Sequence, residues 1–338
     1  MSFRDSQARR REQTRQRRMR ARRARVGALG SLLVVAGILL AVVLGSSSGS
    51  SSDQGQRAAT KTSKASTSQG AGHPAVISAV PVLMYHVINV APASTSASPS
   101  LYVPADEFTS QMEALKSAGW HAVTLDQLEA HWTRGTSLGP GRPIVISFDG
   151  GYASQYTNAL PVLKRLGWVG VENLELDGLA PSDGGLSESQ VHALVTAGWE
   201  LDTQGIGATD LTAVSPDEAR SEVTSARQTL RSRYGVPGNW FSYPLGHYDP
   251  TVVSAVHDAG FVGATTGLPG WAARSQDRYR LPRIQVLGGT SASRLLTQIA
   301  SAKANAPPPS FYTGSSASGT STAGTSTAGT ATVVTSST

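Results

Sequence analysis

Residues 143–152 read PIVISFDGGY: an apolar run, one aspartate, then two glycines. Pro143 to Phe148 is the most strand-like run in the chain, and its unbroken apolar character fits a strand buried on both faces. Such a strand delivers the carboxylate of Asp149 to the rim of a sheet. Working outward, short apolar runs alternate with amphipathic ones. PVLMYH (81–86), HAVT (121–124), WELDT (199–203), NWFSY (239–243), FVGAT (261–265) and RIQVL (283–287) read as strands. Helices are expected over 105–118, 125–132, 152–166, 187–197, 216–234, 250–259 and 291–302. Gly119, Gly167 and Gly260 serve as stops, and Ser215-Pro216-Asp217-Glu218 has the capping-box arrangement. Alternation of this kind predicts an α/β fold with a largely parallel sheet and helices outside. About seven units fit a closed or nearly closed (β/α) barrel better than an open sheet. Active groups on such barrels lie at the C-terminal ends of strands, which singles out His86, Asp149, the Asp202–Gln204 segment and Tyr243.

The flanks are of another kind. Residues 1–25 hold eleven arginines against Asp5 and Glu12, a charge of +9, so the rest of the 338-residue chain carries −3 of the total +6. Basicity therefore belongs to the tail, and a nucleic-acid partner is not needed to explain it. Residues 26–45, VGALGSLLVVAGILLAVVLG, contain no charge and would span about 30 Å as a helix, the thickness of a bilayer's hydrocarbon core. The positive-inside rule then places the N-terminus in the cytoplasm and the main domain outside, as a single-pass anchor in preference to a cleaved signal peptide. Residues 46–73 form a Ser/Gly-rich linker. Residues 74–303 are the globular domain, and residues 304–338 a Pro then Ser/Thr/Gly/Ala-rich tail expected to be disordered. No cysteine occurs, so the domain must be held by core packing.

Within 80–300, PVLMYHVI, ISFDGGYASQYTNALPVLKRLG, AGWELDTQGIGATDLT, FSYPLGHYDPTVVSAVHDAGF and LPRIQV follow in order. Together they resemble the polysaccharide deacetylases (the NodB-homology domain, carbohydrate esterase family four), and most closely the branch acting on poly-N-acetylglucosamine. The resemblance implies a distorted (β/α) barrel and an N-deacetylase that uses zinc or another divalent metal. In that family a Phe-Asp-Asp-Gly motif supplies a base and then a metal ligand, and a His-Thr-x-x-His run supplies two more. Here Asp149 keeps the base position, but Gly150, Gln204 and Ala208 stand at the three ligand positions. Glycine and alanine have no donor atom, and an amide oxygen is a weak zinc ligand beside imidazole. His86 matches the general acid of the poly-N-acetylglucosamine branch. Tyr152, Tyr243, Pro244, Gln204 and Trp271 are the implied sugar-groove residues, with the Tyr243-Pro244 segment also near the oxyanion hole. Trp199 and Trp240 read as core. WVGVENLELDG (168–178) departs from the family's very apolar strand.

Each site residue also has a plain reading: Asp149 as a turn-bonding carboxylate, His86 as a structural histidine, Gln204 as a filler of the histidine space. Three functions remain open. The first is a metal-free homologue that binds N-acetylated envelope polysaccharide or peptidoglycan. The second is a working C–N hydrolase built on Asp149 and His86, with ligands recruited from Asp149, Asp202 and His86 or with no metal. The third is a structural envelope-assembly protein, whose protein partners the sequence does not identify.

Overall fold

The computed structural model describes residues 77–93, 98–207, 209–303 and 308–313. The expected membrane span, the N-terminal tail and linker, and Ala208 lie outside the described residues. Among the described residues no helix is long and apolar enough to cross a membrane.

Nine strands run β1 (Ala79–Tyr85), β2 (Trp120–Ala122), β3 (Arg142–Asp149), β4 (Val171–Glu175), β5 (Glu200–Gly205), β6 (Trp240–Ser242), β7 (Gly263–Thr265), β8 (Trp271–Ala273) and β9 (Ile284–Gln285). Their order is β7-β6-β5-β4-β3-β1-β8, with β2 beside β3 and β9 beside β1; only the β1–β8 pairing is antiparallel. The curled sheet is a distorted, open barrel. Its gap is spanned by the segment around Arg283, where Leu281 bridges Thr265 and Ile284 pairs with Leu83.

Strand periodicity explains the two sides. Val80 and Val82, with Val145 and Val171, join Trp240 and Leu281 in one buried cluster. Leu83 and Tyr85, with Ile144, Ile146 and Phe148, pack on helices α1 (Ala105–Ser117), α3 (Leu160–Leu166) and α7 (Ala292–Ala302). Trp199 stacks on Phe148 at 5.0 Å and Trp240 is buried, both as expected of core residues.

Several expected elements shift. HAVT gives a strand only to Ala122, because Thr124 caps α2 (Leu125–Arg134) in a capping box with Gln127. The expected helix 152–166 is a π turn over Gln155–Ala159 followed by α3. Pro161 has no N–H for an i→i−4 bond, so a regular ladder cannot run through it. Ser187 and Ser215 cap α4 (Glu188–Thr196) and α5 (Pro216–Thr229), and Asp249 caps α6 (Pro250–Asp258). WVGVENLELDG still forms a strand, β4.

The C-terminal boundary differs from expectation. Residues 308–313 lie on the loop after β6: Tyr248 and Tyr312 exchange backbone bonds of 2.7 and 2.8 Å, and the Tyr248 hydroxyl donates to the Pro309 carbonyl. A chain ended at Lys303 should therefore be less stable than one ended at Thr313, by roughly 1–3 kcal/mol for three lost bonds. Urea unfolding of the two lengths checks this; equal midpoints would show that the segment adds nothing.

Candidate functional site

Asp149 ends β3 facing the barrel interior and is 1 % exposed. Arg283, also 1 % exposed, meets it with two parallel bonds, Nη1 to Oδ1 and Nη2 to Oδ2, each 2.7 Å. Asn173 Nδ2 donates to Oδ1 at 2.8 Å and Gln204 Nε2 to Oδ2 at 3.1 Å. Arg283 is anchored in turn by the Thr266 carbonyl at 2.9 Å and the Ser242 hydroxyl at 2.9 Å. Burial alone would raise the pKa of Asp149. The Arg283 charge and the bonds from Arg283 and Asn173 outweigh it and hold the carboxyl below its ordinary range. Asp149 is thus a buried, ionised and fully engaged carboxylate, the opposite of a poised base.

His86, at the C-terminal end of β1, lies close enough for the charges of Asp149 and Arg283 to act on its ring. Burial lowers its pKa first; Asp149 raises it and Arg283 lowers it again, for a net decrease. The shift disfavours the imidazolium form that a general acid would use. Its Nδ1 has no hydrogen-bond partner among the described residues. Gln155 ties the two strand ends together: its Nε2 donates to the carbonyls of His86 (2.9 Å) and Asp149 (3.1 Å), and its Oε1 accepts from Tyr152 N (2.7 Å). Next to Asn173, Glu172 points to the other face of β4 and is fully buried. Burial, then the charge of Asp149, pushes its pKa well above the carboxylate range.

The residues present do not fit a divalent metal. Gly150 has φ +97°, and a Cβ added there would lie 2.8 Å from Tyr152 Cε2, so the ring closes the space where a ligand side chain would start. Gln204 presents an N–H to Asp149, and a donor cannot ligate a cation. Among the described residues no three His, Cys, Asp or Glu side chains are grouped so as to hold a metal.

The other expected site residues divide. Tyr152, partly exposed, sits on the rim over Gly150. Tyr243 is fully buried, with its hydroxyl on the Tyr279 carbonyl and its backbone N–H on the Thr265 carbonyl; neither side chain nor amide is offered to a ligand. Pro244 is buried in the turn Pro244–Gly246. Between them, Leu245 takes φ +59°, the only positive φ of a non-glycine residue among those described, and is 65 % exposed. Trp271 leaves the groove altogether. β8 pairs with the first residues of β1, so the indole is at the opposite end of the barrel, donating to the Ile299 carbonyl at 2.8 Å and packed edgewise on Trp120. Asp202 is not grouped with Asp149 and His86 as a ligand set among the described residues; its Oδ1 accepts from Trp240 N at 3.0 Å.

Sequence reasoning passed over Arg283, Asn173, Ser242 and Gln155, whose roles depend on which strands become neighbours. His247 Nδ1 lies 2.9 Å from Asp210 Oδ2 with its ring against Tyr312.

Residues 138–264 match the family model described as polysaccharide deacetylase. The polysaccharide-deacetylase homologue YxkH of Bacillus subtilis (strain 168) is 28% identical over 224 residues, 66% of this chain and 77% of that protein. Among solved structures, the Streptococcus pyogenes deacetylase PplD in complex with acetate aligns with TM-score 0.60 and 23% identity, over 65% of this chain and 98% of that one. BC0361, a polysaccharide deacetylase from Bacillus cereus, aligns at 0.57 and 24%, over 65% and 68%. IcaB from Ammonifex degensii aligns at 0.54 and 21%, over 65% and 97%. At these identities the solved structures speak for the fold.

Proposed function

We propose that this chain is a cell-envelope protein of the polysaccharide deacetylase family that binds N-acetylated glycan without hydrolysing it. The family-model match, the curated relative and the fold support the family. The observation that carries the silent reading is the filling of the reaction centre by donors. Arg283, Asn173 and Gln204 aim N–H groups at Asp149, and Gly150 is closed by Tyr152. Amide hydrolysis needs a polarised carbonyl and an activated water. Asp149, the carboxylate at the base position, is engaged, and burial lowers the pKa of its neighbour His86. The resemblance of PVLMYHVI (81–88) to the poly-N-acetylglucosamine branch favours a ligand of that type, with peptidoglycan strands as the other N-acetylated polymer at hand. The uncharged segment 26–45 favours a membrane anchor with the domain outside the cytoplasm.

The test is made on the purified full chain. Zinc calorimetry at neutral pH should show no one-to-one binding in the submicromolar range. Incubation with N-acetylglucosamine oligomers should release no acetate, while equilibrium binding to the same oligomers should be measurable. Acetate release that disappears in Asp149→Ala would establish a working hydrolase instead. No glycan affinity at all would leave the structural assembly role.

A further inference from the structure

Glu200 and Asp202 lie two residues apart on β5 and so share one face of the strand. Each has one oxygen held by backbone: Glu200 Oε2 accepts from Asp126 N at 2.8 Å, and Asp202 Oδ1 from Trp240 N at 3.0 Å. The other oxygen of each, Glu200 Oε1 and Asp202 Oδ2, has less than 1 Å² of accessible surface and no hydrogen-bond partner, although the Thr124 hydroxyl is near enough to the Glu200 carboxyl to favour its charged form. The two carboxyls are within hydrogen-bonding reach of each other. Asp126, the third acid facing them, is taken up by Asn239 Nδ2 at 2.9 Å to each oxygen and by Trp240 Nε1 at 3.0 Å. A cleft of about 270 Å³ opens beside the three acids, and no lysine, arginine or histidine lines it.

Two adjacent buried acceptors without a donor need a positive charge or a proton between them. The geometry chooses. With under 1 Å² exposed, neither oxygen can be reached by a hydrated cation or an ammonium group, whereas a proton needs no such opening. We propose that Glu200 and Asp202 share one proton and form a pH-sensitive clamp between β5 and β6.

The clamp sits where strand pairing is shortest. β5 and β6 are in register only through Thr203 and Phe241, and the Asp202–Trp240 bond supplements that pairing. β6 also carries Ser242, which accepts from Arg283, so loosening β6 reaches Asp149. Burial, followed by the charge of Asp126, pushes Glu200 up to about 7; burial, followed by Glu200, pushes Asp202 well above its ordinary value. The pair holds its shared proton more tightly folded than unfolded. The stabilisation is complete below the unfolded pKa and is lost as pH rises through the folded value, so the window runs from about 4.5 to about 7. Glu172 adds a loss of the same sign and His86 an opposing one, so a comparison with variants is required.

Urea unfolding of the full chain at pH 5 to 8 is compared with Asp202→Asn and Glu200→Gln, whose amides supply permanently the hydrogen that the shared proton supplies. Relative to either variant, the wild-type folding constant should fall about tenfold per pH unit between about 5 and 7. Parallel curves overturn the proposal. Should neither variant fold, the infrared carboxylic-acid band of a Glu172→Gln chain decides. A band present at pH 6 and gone by pH 8 supports the shared proton; its absence at pH 6 refutes it.

Discussion

Replacing Arg283 by methionine is expected to lower the free energy of unfolding by about 3–5 kcal/mol, the range seen when one partner of a buried ion pair is removed. Methionine fills much of the volume but leaves Asp149 at 1 % exposure with only Asn173, Gln204 and a distant Ser242 hydroxyl to hold its charge. The second variant separates lost packing from a stranded charge. Asp149→Asn in the Arg283→Met background removes the charge and should recover a large part of the loss. pH gives a further check, with a fixed sign. The folded pKa of Asp149 is below its unfolded value, so its stabilisation is present above the unfolded pKa, near 4, and is lost as pH falls through the folded pKa. The gap between wild type and Arg283→Met should therefore narrow in acid. A gap that is constant from pH 7 down to 3 in urea titrations would mean that the ion pair is not the source of the difference.

How much of this centre could be read in the sequence follows from what kind of signal each part leaves. Asp149 announces itself, since an apolar run ending in one acid and two glycines has few other uses. The caps at Ser187, Ser215 and Asp249 are local chemistry, and the structure has each. Arg283 sits 134 residues from Asp149 and carries no local mark; its role exists only because the segment spanning the barrel's gap passes under β3's end. Asn173 was obscured by its neighbours. The sequence ENLE looks too polar for a buried strand. Strand alternation turns Asn173 inward to Asp149 and Glu172 outward, and each finds a buried place for a different reason. Trp271 misled because composition suggests a stacking platform, while the antiparallel return of β8 puts it at the far end. Glu200 and Asp202 belong to the same class as Arg283: only the fold reveals that each keeps a buried oxygen without a partner.

Gly150→Asp returns the missing carboxylate on paper, and the structure predicts that it will not return the metal. An added side chain begins at φ +97°, a backbone region that only glycine enters freely, at roughly 1–3 kcal/mol of strain. Its Cβ would also meet Tyr152 Cε2 at 2.8 Å, and that ring is held on a backbone whose N–H is bonded to Gln155 Oε1. A new negative charge would join that of Asp149, with only Arg283 placed to compensate. The triple variant Gly150→Asp, Gln204→His, Ala208→His should thus unfold at least about 2 kcal/mol more easily than wild type and bind zinc no better than micromolar. Adding Tyr152→Ala relieves the contact and leaves the backbone strain, so it should recover only part of the stability. Gly150→Ala, with no charge, should show the strain and the Cβ contact without the electrostatic cost. Urea titrations of the four proteins and zinc calorimetry on each resolve the contributions. Submicromolar zinc in the triple variant without loss of stability would show that the cradle opens freely. The silence proposed for this centre would then rest on three side chains rather than on the way the chain folds around them.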